Sequence, residues 1–441
     1  MAKTVTRREA IGAAGAGVLA ASGLMGAPPK SRPNILFILA DDLGYGDLSC
    51  YGRPDYKTPV LDNFAAEGMK FMSAYAAAPV CTPTRCAFHT GRYPQRLDVG
   101  LREPLGAADR LARIGLPPNL PTIASLLKNN GYSTSLVGKW HLGWEPEFGP
   151  NRHGFEEFFG ILSGAADYFT HHAESFAGTD LWEDLKPVER VGYMTDLFTD
   201  KAIEYINRKH QKPFFLSLQY TAPHSPWEGP GDKAIAHQHG NGPMADGGSL
   251  GIYASMMKNM DAGIGRVLNA LKKNRIDRDT LVIFTSDNGG ERYSFNWPFA
   301  FRKGFLWEGG LRVPAMVRWP GVVEAGKVTE QAAITMDWTA TILAVTGTEP
   351  DPGYPLEGDN LMPVCTGART VYDRQFFFRT KTYDAMRSGR WKYLKEENRE
   401  YLFDLVNDPG EHVDLRSAHT ETFGKLRNEF LAWNAKMLPN P

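Results

Sequence analysis

The chain has 441 residues, 42% hydrophobic and 22% charged, with 49 Lys and Arg against 50 Asp and Glu for a formal net charge of −1. That length suffices for one large core plus a smaller unit, and the charge balance lacks the basic excess that marks a nucleic-acid binder. Four cysteines, Cys50, Cys81, Cys86 and Cys365, are too few for a disulfide scaffold and match no paired zinc spacing.

Residues 1–30 read as an export segment apart from the fold. Lys3, Arg7 and Arg8 make a basic start, an Ala/Gly/Leu run follows from Ile11 to Ala27, and Pro28-Pro29 closes it. The segment resembles a twin-arginine signal, although Ala10 stands where such signals often carry an aromatic residue, and it implies a periplasmic or secreted protein. No later run of about 18 strongly apolar residues argues for a membrane span in the mature protein.

From residue 31 to 369, short apolar runs alternate with amphipathic helical patterns. Strands are expected at 34–40 (NILFILA), 133–137, 213–220 (PFFLSLQY), 280–285 (TLVIFT) and 314–319, and helices at 59–68, 122–130, 196–209 and 252–274. Continuous apolar strands separated by such helices predict an α/β fold, a large mostly parallel sheet sandwiched by helices. Residues 224–248, rich in Gly, Pro and His, are expected to form a surface loop. From 370 to 441 the pattern changes: FFFRT, AMRSGRWKYLK and EYLFDL, then a helical stretch from 420 to 437, predict a small antiparallel sheet with a helix on it.

Open α/β sheets bind ligands beyond the carboxyl ends of their strands. The first strand ends in Asp41-Asp42, and TLVIFT runs into Ser286-Asp287-Asn288-Gly289-Gly290. Three carboxylates and an amide oxygen make a hard-oxygen set suited to Ca²⁺ or Mg²⁺. Each half alone is more often a turn or a helix cap. Between them lies Cys81-Thr82-Pro83-Thr84-Arg85, where Pro83 suits the first turn of a helix through Cys86–Thr90. Cys81 would then sit just before a helix N-terminus, with Arg85 one turn on and able to fork onto an anionic oxygen. A buried inert thiol and a solvated arginine are the plain readings of such residues.

Cys-x-Pro-x-Arg followed by Thr90-Gly91-Arg92-Tyr93-Pro94 resembles the signature of the type I sulfatases, of the alkaline phosphatase superfamily. NILFILADDLGYGDL, Gly138-Lys139-Trp140-His141-Leu142-Gly143, Pro223-His224-Ser225-Pro226, SDNGG, Arg302-Lys303-Gly304 with the later EGGLRVP, and Phe403-Asp404-Leu405 with Asp408-Pro409-Gly410-Glu411 follow in the family's order. The resemblance spans about residues 33–415. It implies that Cys81 is converted to Cα-formylglycine by a formylglycine-generating enzyme, and that Asp41, Asp42, Asp287 and Asn288 hold one Ca²⁺ that also touches residue 81. It further implies that one hydroxyl of the hydrated aldehyde attacks sulfur to give a covalent sulfo-enzyme. His141 then takes a proton from the second hydroxyl, which expels sulfate. Arg85, Lys139 and Lys303 surround the sulfate oxygens, and His224, with Lys303, protonates the leaving alkoxide. His89, His153, His237 and His239 fall outside these motifs and are expected to be structural or on the surface.

Three other readings stand beside sulfate-ester hydrolysis. A two-metal phosphatase would carry more histidine ligands and a Ser or Thr nucleophile. A formylglycine-dependent phosphonate or phosphate-ester hydrolase shares the same motif. A non-catalytic sulfated-glycan binder would be expected to lose the metal carboxylates or the cysteine, and this chain has both. For the substrate, Ser163 is a further candidate sulfate contact. The loops 163–177, with Asp167, His171 and His172, and 291–299 are candidates for reading the group that bears the sulfate. Trp140, Trp144, Trp182, Trp227, Trp297 and Trp307 are either stacking platforms for a sugar or simply core. Near-neutral charge favours small or partly degraded saccharides over a long polyanion.

Overall fold

The computed structural model describes residues 32–173, 178–232 and 247–440; the export segment read at 1–30 lies outside them, as do His237 and His239. A ten-stranded sheet forms the centre, and its middle is parallel. Asn34–Ala40 pairs with Phe214–Gln219 on one side and Thr280–Ser286 on the other, and Ser133–Lys139 and Glu157–Ile161 extend the parallel run. The three central strands form where the sequence is almost continuously apolar, because both faces are covered. Leu36, Ile38 and Ala40 join the core on one face, Ile35, Phe37 and Leu39 the core on the other.

One of the expected strands runs against the parallel set. Ala315–Arg318 runs antiparallel to Thr280–Ser286, because its chain returns from the site end of the sheet without a crossover helix. The short outer strands Met69–Phe71, Leu181–Glu183 and Lys327–Thr329, each of three residues, carry too little pattern to be read. Among the described residues no helix is long and apolar enough to cross a membrane.

Towards the C-terminus, Gln375–Arg379, Tyr383–Ser388, Trp391–Glu396 and Arg399–Asp404 form an antiparallel meander with the Thr420–Asn434 helix packed on it. Its core is continuous with the rest, since Phe376, Phe378 and Tyr393 pack with Tyr75, Leu306 and Leu311. At that junction Lys392 Nζ lies 3.0 Å from Glu308 and 2.7 Å from Glu411, all three side chains buried. Glu411 also accepts from the Glu308 backbone N–H at 2.6 Å, so the EGGLRVP segment and the Asp-Pro-Gly-Glu segment are joined through one ammonium group. Lys392→Ala would leave buried Glu411 without its cation and facing Glu308, which keeps Arg312 at 2.9 Å. It is expected to cost about 3–5 kcal/mol, read from chemical denaturation; a loss below about 1 kcal/mol would show that the triad contributes no more than a surface pair.

Candidate active site

The carboxyl ends of four neighbouring strands supply the site. Ala40 pairs with Ser286 and Gly138 with Gln219, so the residues that follow, Asp41, Asp287 and Lys139, emerge side by side. The Cys81–Thr90 helix lies over them, fully buried and pinned by a Phe37–Phe88 ring stack with centroids 3.9 Å apart. Cys81 is the first residue of this helix, not the residue before it as the Pro83 position suggested. Arg85 therefore sits one turn on, facing the strand ends.

Cys81 Sγ lies 3.5 Å from Asp41 Oδ1 and 4.0 Å from Asp42 Oδ1. Lys139 Nζ donates to Asp41 at 2.6 Å and Lys303 Nζ to Asp42 at 2.7 Å. Arg85 donates twice to Asp287 Oδ2, at 2.8 and 3.0 Å, and also to Gln219 Oε1 and the Lys139 carbonyl. Three carboxylates thus face three cations. Burial works against the charge on Asp42, but Lys303, His224 and Lys139 outweigh it and hold that carboxyl well below the usual range. Asp287 moves the other way, pushed up to about 6 by burial and by Asp41. Burial, reinforced by Asp287 and Asp41, pushes the Cys81 thiol up, so the unmodified side chain is a neutral thiol and not an activated thiolate.

The two histidines are held in opposite tautomers. His141, at φ 56°, donates Nε2–H to the Leu105 carbonyl at 3.0 Å and leaves Nδ1 buried without a partner. Burial and Lys139 hold it neutral, with a lone pair free to take a proton. Gly164 packs on its ring so closely that an added Cβ would lie 2.6 Å from Cε1. His224 donates Nδ1–H to the Ser225 carbonyl at 2.5 Å, and its Nε2 faces Lys303 Nζ at 3.2 Å. Burial and that ammonium lower its pKa to about 3.

Among the described residues, Asp41, Asp42, Cys81 and His224 place their ligand atoms within 4.8 Å of one another, a buried group able to hold a metal ion. Asp287 is drawn aside to Arg85, while Asn288 sits next to the group: its Nδ2 donates to Asp42 at 2.7 Å and its Oδ1 is buried without a partner. A buried amide oxygen with nothing to accept is a fitting cation ligand, and together with the Asp41 and Asp42 carboxylates it makes an oxygen-rich set suited to a hard ion.

The surface loop expected at 224–248 is corrected at its start. His224, Ser225, Trp227 and Glu228 are buried, because Tyr168 donates to the His224 carbonyl and Tyr193 to the Glu228 carbonyl and pull the segment against the site. Ser163 is buried beside the pocket and donates to Asp180, a residue the sequence did not single out. Gln219, Leu105 and Asp180 were not read in advance; a strand-end position was the only available signal, and it applies to Gln219 alone. His89 and His153 are buried structural groups, His153 lying between the Gly149 and Leu116 carbonyls.

The family model for Sulfatase matches residues 33–348, and that for the C-terminal region of N-sulphoglucosamine sulphohydrolase matches 296–435. The chain is 32% identical to the N-acetylgalactosamine-6-sulfatase of Canis lupus familiaris, covering 93% of this chain and 87% of that protein. It is 31% identical to the steryl-sulfatase of Mus musculus, covering 96% and 85%. Among solved structures, Ps i-CgsB in complex with k-i-k-neocarrahexaose superimposes with a TM-score of 0.82 at 32% identity, over 91% of this chain and 93% of that one.

Proposed function

The chain belongs to the sulfatase family and is a sulfuric ester hydrolase; from that premise we propose that it hydrolyses sulfate monoesters of saccharides through a formylglycine made from Cys81, with one Ca²⁺. The observation that carries the reading is the placement of Cys81 at the first residue of a buried helix, within 4.0 Å of two carboxylates and next to Arg85, Lys139 and Lys303. In this reading Asp41, Asp42, Asp287, Asn288 and the oxidised residue 81 hold the ion. When bound, it supplies positive charge that favours an ionised hydroxyl and polarises a sulfate oxygen.

The chain's own residues divide the remaining work. Residue 81, as the hydrated aldehyde, presents one hydroxyl to sulfur and takes the sulfuryl group, giving a covalent sulfo-enzyme. Lys139, Lys303 and Arg85 are fixed cations around the charge that builds on the sulfate oxygens, the largest kind of contribution in such transfers. Lys303 and His224 deliver a proton to the departing oxygen. His141, whose Nδ1 is free to accept, takes the proton of the second hydroxyl so that sulfate leaves and the aldehyde returns.

The names of two similar proteins, an N-acetylgalactosamine-6-sulfatase and a protein in complex with k-i-k-neocarrahexaose, support a carbohydrate substrate. The basic-then-apolar segment before Pro28 supports export and action in the periplasm or outside the cell, with a formylglycine-generating enzyme as partner in maturation. Asp287→Ala tests the metal assignment. Elemental analysis of the purified variant is expected to show calcium well below one ion per chain, and activity is expected to fall with it. Two zinc ions in the parent protein, or calcium retained at full occupancy in the variant, would overturn it.

A further inference from the structure

Beside Cys81 lies a cavity of about 150 Å³ whose base holds Cys81, His141 and His224. It is small beside the roughly 300–1,000 Å³ of pockets that enclose drug-sized ligands, so it has room for about one ring. Most of its wall is small or apolar, including Gly106, Ala107, Gly164, Ala165 and Ala166. Among the described residues no Phe, Tyr or Trp lines it, and no Lys or Arg. The tryptophans weighed as stacking platforms lie elsewhere: Trp140, Trp144, Trp227 and Trp307 are buried, and the exposed Trp297 is outside this wall.

Two ionisable residues in the wall have no part in the reaction, Asp167 and His172. Asp167 is held rigidly. Its Oδ1 accepts from the backbone N–H groups of Phe169 at 2.8 Å and Thr170 at 2.6 Å. Behind it, Glu228 is buried, accepts from the Tyr168 N–H at 3.0 Å and is fixed through its carbonyl by Tyr193. Burial, and then the Asp167 carboxylate to which Glu228 is hydrogen-bonded, push the Glu228 carboxyl up to about 8. At neutral pH Glu228 therefore keeps its proton and can donate it to Asp167. The two backbone donors bind Asp167 Oδ1 and orient the carboxylate on the cavity wall.

We propose that Asp167, braced by Glu228, is a specificity-determining residue that accepts hydrogen bonds from O–H or N–H groups of the ring bearing the sulfate and rejects rings with a second anionic group. The inference rests on the sulfatase reading and adds a substrate class to it: a neutral, polyhydroxylated ring with a single sulfate. A ring with a second sulfate or a carboxylate would set like charge against Asp167, and among the described residues no Lys or Arg lines the wall to relieve it. Asp167 would act on binding and orientation of the leaving group, and Glu228 as a positioning residue through it.

The test uses the full-length matured enzyme and three substrates: 4-nitrophenyl sulfate, a monosulfated neutral hexose or N-acetylhexosamine, and the same ring with a second sulfate. Hydrolysis of the aryl ester by the parent enzyme is the check on the reaction itself, and its absence would sink the sulfatase reading rather than the role of Asp167. The parent enzyme is expected to prefer the monosulfated ring to the disulfated one by roughly 100-fold or more in kcat/KM. In Asp167→Asn, kcat/KM for the monosulfated ring is expected to fall roughly 10- to 100-fold relative to the aryl ester, and the preference over the disulfated ring to shrink by a similar factor. Glu228→Gln is expected to move both ratios the same way by less. A parent preference near unity, or equal losses on all three substrates in Asp167→Asn, would overturn the proposal; the parent ratios decide it even where a variant fails to fold.

Discussion

Cys81→Ala is expected to remove sulfate-ester hydrolysis almost completely, a loss on the order of 10⁵-fold or more, as when a covalent nucleophile is deleted from an otherwise intact site. The surrounding charges explain why little would remain. Asp41, Asp42 and Asp287 are balanced by Arg85, Lys139 and Lys303, so the pocket can bind an anion, but nothing else in it attacks sulfur. Cys81→Ser separates the two halves of the mechanism: one hydroxyl can accept the sulfuryl group, but the second hydroxyl needed to expel sulfate is missing. A burst of alcohol no larger than the enzyme concentration, followed by a stall, is the expected record. Peptide mass measurement on active parent protein should show sulfur lost and oxygen gained at residue 81, provided the host supplies a maturing enzyme. Fully active protein with an unmodified thiol, or Cys81→Ala retaining activity within about tenfold, would remove Cys81 from the chemistry.

The parts of this molecule that the sequence discloses are those where local chemistry and position coincide. NILFILA and TLVIFT are short apolar runs, rich in β-branched and aromatic residues, that read as buried strands, and the polar residues that end them, Asp41-Asp42 and Asp287-Asn288, stand in register. Cys81 and Arg85 are one helical turn apart, so their shared face was legible even though the helix begins earlier than Pro83 implied. What stayed hidden is set by long-range pairing. Arg85 and Asp287 are 202 residues apart, and Lys392 and Glu308 are 84 apart; no spacing rule links them. The antiparallel course of Ala315–Arg318 was hidden because an apolar strand carries no mark of direction. The burial of residues 224 to 228 was hidden because Gly, Pro and His signal a turn but not which way it faces. Leu105 acts through a backbone carbonyl, and the sequence does not show where a carbonyl points.

His224→Ala should reveal its role through the leaving group. An alkyl or sugar alkoxide departs poorly without a proton, whereas a nitrophenolate leaves readily as the anion. If His224 and Lys303 deliver that proton, the variant is expected to lose on the order of 10²–10⁴-fold in rate on a sugar sulfate and much less on an activated aryl sulfate. The geometry says how the pair would work. His224 turns Nδ1–H onto the Ser225 carbonyl, leaving the Nε2 lone pair 3.2 Å from the Lys303 ammonium, and burial with that cation keeps the ring neutral. The proton at the leaving-group side therefore rests on Lys303, which Asp42 also holds at 2.7 Å, and His224 fixes where it points. A plot of log rate against leaving-group pKa should accordingly steepen in His224→Ala. His141→Ala predicts a different trace, an alcohol burst and then a stall on every substrate, because its free Nδ1 is needed only when sulfate is expelled. Equal losses for His224→Ala on both ester types would mean that this histidine only packs the site or binds sulfate, and the proton would then have to come from Lys303 alone.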